Sequence, residues 1–315
     1  LKKLTIIAAA LFVLGLGQSV SAQYLTLQNG QQEPNQRFEF SFRAIDRPNN
    51  RDPNAIATNQ NNGRTVLRTD TATDLGGGIG PELGYIFSTE PGCKYEIRGF
   101  FTQWDVENNR QGNLASPLLP GLSFNTFNTS YESTMFSLEF NQRRDITPGI
   151  TTIAGIRYLS LEESIDFNGA GTVVVPPGFT LPISVTNNTE SKNPLIGFQV
   201  GGETRYYLTQ GIHLDGYAKV GLYNNNATRT NTVGTSRTRS VQTNGSNNDA
   251  TWMSEYALRL HYDLILDHMS MFMGYEGMYL SGVAIAPRQV NIASGISDNE
   301  NLVFNGMTIG ISLRR

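Results

Sequence analysis

The chain has 315 residues, 39% hydrophobic and only 16% charged, with 32 Gly, a single Cys and a formal net charge of −3. So little charge with so much glycine does not suit a soluble helical enzyme, and one Cys excludes a disulfide scaffold or a multi-cysteine metal site. The near-neutral balance argues against a nucleic-acid partner.

At the start of the chain, Lys2 and Lys3 precede an apolar run from Leu4 to about Leu16, and Val20-Ser21-Ala22 supplies the small residue a signal peptidase needs before its cut. The expectation is a cleaved signal peptide over 1–22, a periplasmic N-terminal extension over 23–36 and a barrel over 37–315. The run is shorter than the roughly 20 apolar residues of a membrane-crossing helix, and after Leu16 no stretch approaches that length.

Strand periodicity fills the rest. Phe38, Phe40 and Phe42 alternate with Glu39, Ser41 and Arg43. Segments near 65–87, 94–106 and 149–166 are strand-like in composition with less regular parity. Arg157 and Glu163 share a face with Leu159 and Leu161, which either a bulge or a partly buried lipid face would explain. Phe136, Leu138 and Phe140 oppose Ser137, Glu139 and Asn141. Beyond them, Ile196, Phe198 and Val200 oppose Gln199, Glu203 and Arg205, and Leu214, Val220 and Leu222 oppose His213, Asp215 and Lys219. Trp252, Leu258 and Tyr262 oppose Glu255, Arg259 and His261; Met271 and Tyr275 oppose Ser270 and Glu276; Met307, Ile309 and Ile311 oppose Thr308, Gly310 and Ser312.

Connection lengths give the topology. Short turns at 88–93, 145–148, 209–211 and 266–267 alternate with long polar stretches at 46–64, 107–129, 168–192, 224–250 and 285–301. This is the asymmetry of an up-and-down membrane barrel with short periplasmic turns and long outer loops. The fold class expected is all-β, an antiparallel up-and-down transmembrane β-barrel of about ten strands, with twelve possible if the N-terminal third holds two more. A soluble sandwich or lipocalin-like barrel would also alternate, with its charged face outward. The spacing of Trp252 and Tyr262 on one apolar face projects to about 25 Å, the height of an apolar band between aromatic girdles.

Gly155-Ile156-Arg157-Tyr158-Leu159, Gly197-Phe198-Gln199-Val200-Gly201-Gly202, Ala218-Lys219-Val220-Gly221-Leu222-Tyr223, the run Gly274–Gly282 and Phe304-Asn305-Gly306 together resemble a broad, planctomycete-type group of bacterial outer-membrane β-barrel proteins. The resemblance covers about 130–315 well. It implies an exported outer-membrane barrel and brings no catalytic residues. The final Leu313-Arg314-Arg315 departs from the terminal aromatic residue common in such barrels.

Chemistry-bearing motifs are sparse. His213-x-Asp215 and His261-x-Asp263 each set an imidazole and a carboxylate on one face, as an omptin-like acid–base couple would, or as a lumenal hydrogen-bond network would. The short turns beside them favour the network. His268-Met269-Ser270 is a faint likeness to barrel lipid A deacylases, and Gly76–Pro81 lacks the Lys-Ser/Thr and the helix of a phosphate cradle. No catalytic residue, cofactor or metal is expected, the three histidines being scattered along the chain.

The lumen-lining candidates are Glu139, Arg143, Glu203, Arg205, Asp215, Lys219, Glu255, Arg259 and Glu276; the lipid-facing candidates are Val220, Leu222, Trp252, Tyr262, Met271 and Ile309. Both signs of charge in a narrow interior suggest Arg–carboxylate pairing. Two functional expectations follow: a plugged or narrow barrel displaying five long polar loops in a structural or surface-interaction role, or a narrow porin-like channel for small solutes, with an outer-membrane hydrolase a distant third. Expected partners are outer-membrane lipid, lipopolysaccharide and the barrel-insertion machinery, with small solutes or surface polysaccharide beyond them. Loop 224–250, with Arg229, Arg237 and Arg239, is either an anionic-glycan contact or simply solvated.

Overall fold

Period-two alternation is realised as strands in the computed structural model, which describes residues 36–48, 55–59, 65–68, 74–90, 92–116, 119–147, 149–175, 178–265, 268–290 and 295–315. The expected signal peptide over 1–22, and the extension over 23–36 save its last residue, lie outside the described residues. The strands are β1 (Gln36–Asp46), β2 (Ala55–Asn59), β3 (Thr65–Arg68), β4 (Gly77–Glu90), β5 (Cys93–Ser116), β6 (Leu119–Thr147), β7 (Ile150–Val175), β8 (Phe179–Thr209), β9 (Ile212–Thr235), β10 (Thr238–Ile265), β11 (Met269–Val283) and β12 (Glu300–Arg314). A short helix, α1 (Ala286–Gln289), interrupts the last connection.

Ten strands close a ring in the order β1, β4 to β12 and back to β1, each antiparallel to its neighbours. The remaining two, β2 and β3, pair with each other, and β2 joins the sheet only where Thr58 and Asn59 meet Ala115 and Leu114 of β5. The expected single segment over 65–87 is therefore two strands. Between them the chain passes Gly76, whose φ of 58° is a left-handed conformation that favours glycine. Short connections join β4 to β5, β6 to β7, β8 to β9 and β10 to β11 at one rim, where Gln36 and Arg315 also pair (N···O 3.1 and 2.9 Å).

At the opposite rim the expected loops need correcting. Most of 107–129, 168–192 and 224–250 is not loop but hairpin: pairing continues to Ser116↔Leu119, Val175↔Phe179 and Thr235↔Thr238. Backbone ladders need no apolar side chain, so Asn/Thr/Ser-rich strands persist wherever one face still packs. Here Phe124, Phe127, Ile165, Phe167 and Val185 supply that face. The other two stretches hold β2 and α1. Strand lengths split accordingly: β1, β4, β11 and β12 have 11 to 15 residues, whereas β5 to β10 have 24 to 31. At about 3.3 Å per residue and a tilt near 40°, the first set projects to about 28–38 Å and the second to about 60–78 Å. One side of the barrel thus rises as a tall wall.

The outer surface carries exposed Val220, Leu222, Tyr262, Met271 and Ile309, and Trp252 stands there half covered by the Tyr279 ring, 4.8 Å away. Along β9 the outward residues change from Val220 and Leu222 to Asn224, Asn226 and Thr228, which marks the upper edge of the apolar band. The mixed parity of β7 has a different cause from either one expected. Arg157, Leu159, Leu161 and Glu163 all point inward and are all buried, because the interior is charged at one level and apolar above it.

The band predicts a position-dependent cost. In lipid vesicles, Leu258→Arg, midway between the outward-facing Trp252 and Leu264 of β10, should destabilise by about 2–4 kcal/mol, and Asn248→Arg, beyond the band on the same strand, by less than about 1 kcal/mol. Urea unfolding measures both, and equal costs would place the band elsewhere.

Candidate functional site

Ring closure sends every second side chain of ten strands into one narrow space, so inward charges meet across the barrel rather than along one strand. Arg43 of β1 reaches Glu276 of β11 (2.5 Å) and Glu82 of β4 (3.3 Å). Arg98 of β5 contacts Glu39 (2.6 Å), Glu82 (2.5 Å) and Glu96 (2.8 Å). Arg157 of β7 pairs with Glu255 of β10 (2.5 Å), and Lys219 of β9 with Glu139 of β6 (2.9 Å). Arg259 pairs with Glu82 (3.0 Å), Arg143 with Glu203, and Arg205 grips both oxygens of Asp215 (2.8 and 2.9 Å). With Arg37 on Glu39, eight cations and eight carboxylates form a connected belt. Neutral donors complete it: Tyr217 Oη donates to Glu255, Asn141 to Glu96 and Gln199 to Glu139. The Phe100 ring lies 4.0 Å from the Arg43 guanidinium and 5.5 Å from that of Arg157.

Above the belt the interior is apolar. Trp104, Met135, Leu159, Leu161, Leu195, Tyr223, Met253, Met278, Leu280 and Phe304 form one buried cluster. Gly78 makes room for the inward Trp104, whose indole would collide with any Cβ there; its Nε1 donates to the Ile45 carbonyl (2.9 Å).

The cluster is capped by the connection from β11 to β12, which turns into the ring instead of lying outside it. Val283, Ala284, Ile285, Ala286 and Gln289 are fully buried, and α1 packs on β7, β8 and β9, across the barrel from its own strands. Polar residues of those strands hold the segment by its backbone. The Asn193 amide donates to Ala284 O (2.6 Å) and accepts from Ala284 N (2.8 Å). Asn225 donates to Gly282 O (3.2 Å), and Asn231 to Val290 O (3.0 Å). Glu163 accepts from Ala286 N (2.9 Å) and pairs with Arg47, so one carboxylate holds both this segment and the residue just beyond β1. Gly282 (φ 62°) and Gly295 (φ 82°) flank the segment.

All nine lumen-lining candidates lie in the belt. Sequence reasoning omitted Arg37, Glu39, Arg43, Glu82, Glu96, Arg98 and Arg157 from that set, although Arg37, Glu39 and Arg43 share the polar parity opposite Phe38, Phe40 and Phe42. It also read 285–301 as a polar loop, although Val283-Ala284-Ile285-Ala286 at its start is apolar. Register unites what spacing separates: His213 and His261 are direct cross-strand partners, stacked at 4.6 Å, with Asp215 beside both. His268 is exposed in the β10–β11 turn, and Gly77–Pro81 is part of β4, so neither motif builds a site. Arg229 is buried and donates to Thr243 (3.0 Å), whereas Arg237 and Arg239 are exposed near the β9–β10 tip.

Residues 101–308 match the family described as "putative beta barrel porin-7". The chain belongs to this porin-like outer-membrane family. Together with the closed ring, membership places it in the bacterial outer membrane, with the apolar band against lipid. No curated protein matches. Among solved structures the chain is similar to the outer membrane protease OmpT from Escherichia coli, at 13% identity and a TM-score of 0.43, covering 90% of this chain and 97% of that one. It is also similar to the translocator domain of the autotransporter NalP from Neisseria meningitidis (11%, 0.40, 98% and 98%). A third is a major outer membrane protein from Thermus thermophilus (11%, 0.37, 89% and 99%).

Belt and surface pairs should respond differently. Arg98→Met takes one shared cation from three buried carboxylates, Glu39, Glu82 and Glu96, and is expected to cost about 3–5 kcal/mol. Lys192→Met removes only the exposed pair with Glu162 (3.5 Å) and should change stability by less than about 1 kcal/mol. Urea unfolding in vesicles separates the two.

Proposed function

We propose that the protein is a closed outer-membrane barrel whose tall hairpins serve a structural or surface-contact role. One observation carries this reading: the described interior is filled at two levels, by paired charges and, above them, by the apolar cluster with its inward-folded cap. The crevice at the short-turn end, lined by Arg37, Glu96, Arg143, Glu203 and Lys219 among others, has room for about one water molecule. A solute crossing the belt would have to break several charge-assisted hydrogen bonds at once.

In this reading the short-turn rim and both chain ends are periplasmic, and the β5–β6, β7–β8 and β9–β10 hairpins stand outside the cell. Their polar outer faces meet lipopolysaccharide or surface polysaccharide, the band meets lipid, and insertion depends on the cell's barrel-insertion machinery. The role in this reading is non-enzymatic: Asp215, the carboxylate beside both buried histidines, is paired with Arg205 and so is not a free general base.

A second reading, a gated channel for small solutes, draws on the family's porin character and on Gly282 and Gly295, whose backbone freedom would let the cap swing out.

Planar-bilayer recording on refolded protein decides between them. The closed reading expects silence from the wild type, and conductance steps only once the belt is breached, as in Arg259→Ala. Large, stable single-channel steps from the wild type would overturn it. For topology, an epitope inserted at the β7–β8 tip should be labelled on intact cells; labelling only after permeabilisation would invert the barrel.

A further inference from the structure

The β9–β10 register places His213 directly opposite His261 near the short-turn rim, and Asp215, two residues beyond His213, on the same inward face. All three are buried, and the nearest ligand atoms of the trio lie within 4.8 Å of one another. The spacings are unusual for hydrogen bonding. His261 Nε2 stands 3.6 Å from Asp215 Oδ2, and His213 Nε2 stands 3.9 Å from Asp215 Oδ1, both too long for a hydrogen bond. Two ligand atoms each about 2.1 Å from a shared ion, at the wide angles of a tetrahedral or trigonal site, would be about 3.4–3.6 Å apart, so His261 and Asp215 already stand at that spacing and His213 slightly beyond it.

His261 is a buried imidazole with no hydrogen bond at either ring nitrogen among the described residues, and His213 Nδ1 is likewise unpartnered. Buried polar atoms are seldom left this way; His213 Nε2 alone has a partner, Arg314 Nη2 at 3.4 Å, so His261 is the ligand-seeking member of the pair. His261 and Asp215 also line the crevice that holds Arg37 and Glu203, so an ion has a route to them.

We propose that His213, His261 and Asp215 bind a first-row divalent transition ion such as Zn2+ at the short-turn end of the lumen. Two imidazole nitrogens and one carboxylate oxygen suit Zn2+, Co2+, Ni2+ or Cu2+, whereas Mg2+ and Ca2+ require more oxygen ligands than one carboxylate supplies. The rings are stacked with an interplanar angle of 11°, so binding requires them to fan towards a common point; neither Nδ1 is tethered against that turn. Three nearby guanidinium groups oppose a cation, and each has a carboxylate to keep: Arg37, on the same crevice, has Glu39 at 3.1 Å. Arg205 has Glu203 at 4.0 Å when Asp215 turns to the ion, and Arg314 has Asp263 at 3.3 Å. A fourth ligand position faces the crevice and is filled by water.

The test uses full-length protein refolded in detergent, stripped with EDTA and equilibrated with Zn2+ or Mg2+. One Zn2+ per chain should survive desalting, with no Mg2+ retained. A chelator-dye competition should show affinity at least about tenfold weaker in His261→Gln and His213→Gln and unchanged in His268→Gln. Absence of retained Zn2+, or equal affinity in wild type and His261→Gln, would overturn the proposal. Should the variants fail to fold, the wild type alone suffices: Zn2+ should shift the imidazole ring NMR signals of two of the three histidines and leave that of His268 in place, and three unmoved signals would overturn it.

Discussion

Charge pairing across a closed ring is the constraint on which the rest of this structure depends. A ten-stranded barrel points half of its side chains into a space only slightly wider than an eight-stranded barrel fills completely. Every ionised group placed there loses water and must recover the loss from partners. The belt meets that demand through multiplicity rather than isolated pairs. Arg98 touches three carboxylates, and Glu82 is shared by Arg43, Arg98 and Arg259. Because these contacts join β1 to β11, β7 to β10 and β6 to β9, they also cross-brace strands that share no backbone hydrogen bonds.

Above the belt the physics changes sign. The upper lumen is apolar, and an apolar barrel mouth left open to water would sacrifice the burial that stabilises it. The chain answers with its own last connection. Asn193, Asn225, Asn231 and Glu163 satisfy the backbone groups that this irregular segment carries inward, so α1 and its flanks are buried without orphaned main-chain bonds at those points. The same four side chains explain why polar residues recur on the inner faces of β7, β8 and β9 at the level of an otherwise hydrophobic cluster.

The uneven strand lengths fit this arrangement. Four short strands span little more than the apolar band, and their connections, β2–β3 and the α1 segment, fold towards the tall wall of β5 to β10. Leu67, Leu75, Ile285 and Val290 are buried together with Phe124, Phe127 and Ile165 of that wall. In this porin-family member the described upper lumen is lined by buried apolar side chains and the level below it by paired charges, and the interior rather than the ring is what separates one barrel from another.

Much of this was legible in the residues. Alternation of apolar and polar positions specified strands and sorted their residues onto two faces, because side-chain direction along a strand is a local property that reads directly from parity; which face turns inward parity left open, since a soluble barrel alternates with its charged face outward. The alternation of short and long connections specified an antiparallel meander and the number of strands in the ring. Polarity misled where 107–129, 168–192 and 224–250 read as loops, since a strand outside the membrane has no need of an apolar outer face. What only the tertiary structure decided were the partners: that Arg157 meets Glu255, that His213 faces His261, and that Ala286 ends beside Glu163. Those contacts join residues far apart in the chain. They depend on ring closure and on the register between strands, and neither is a property of any segment on its own.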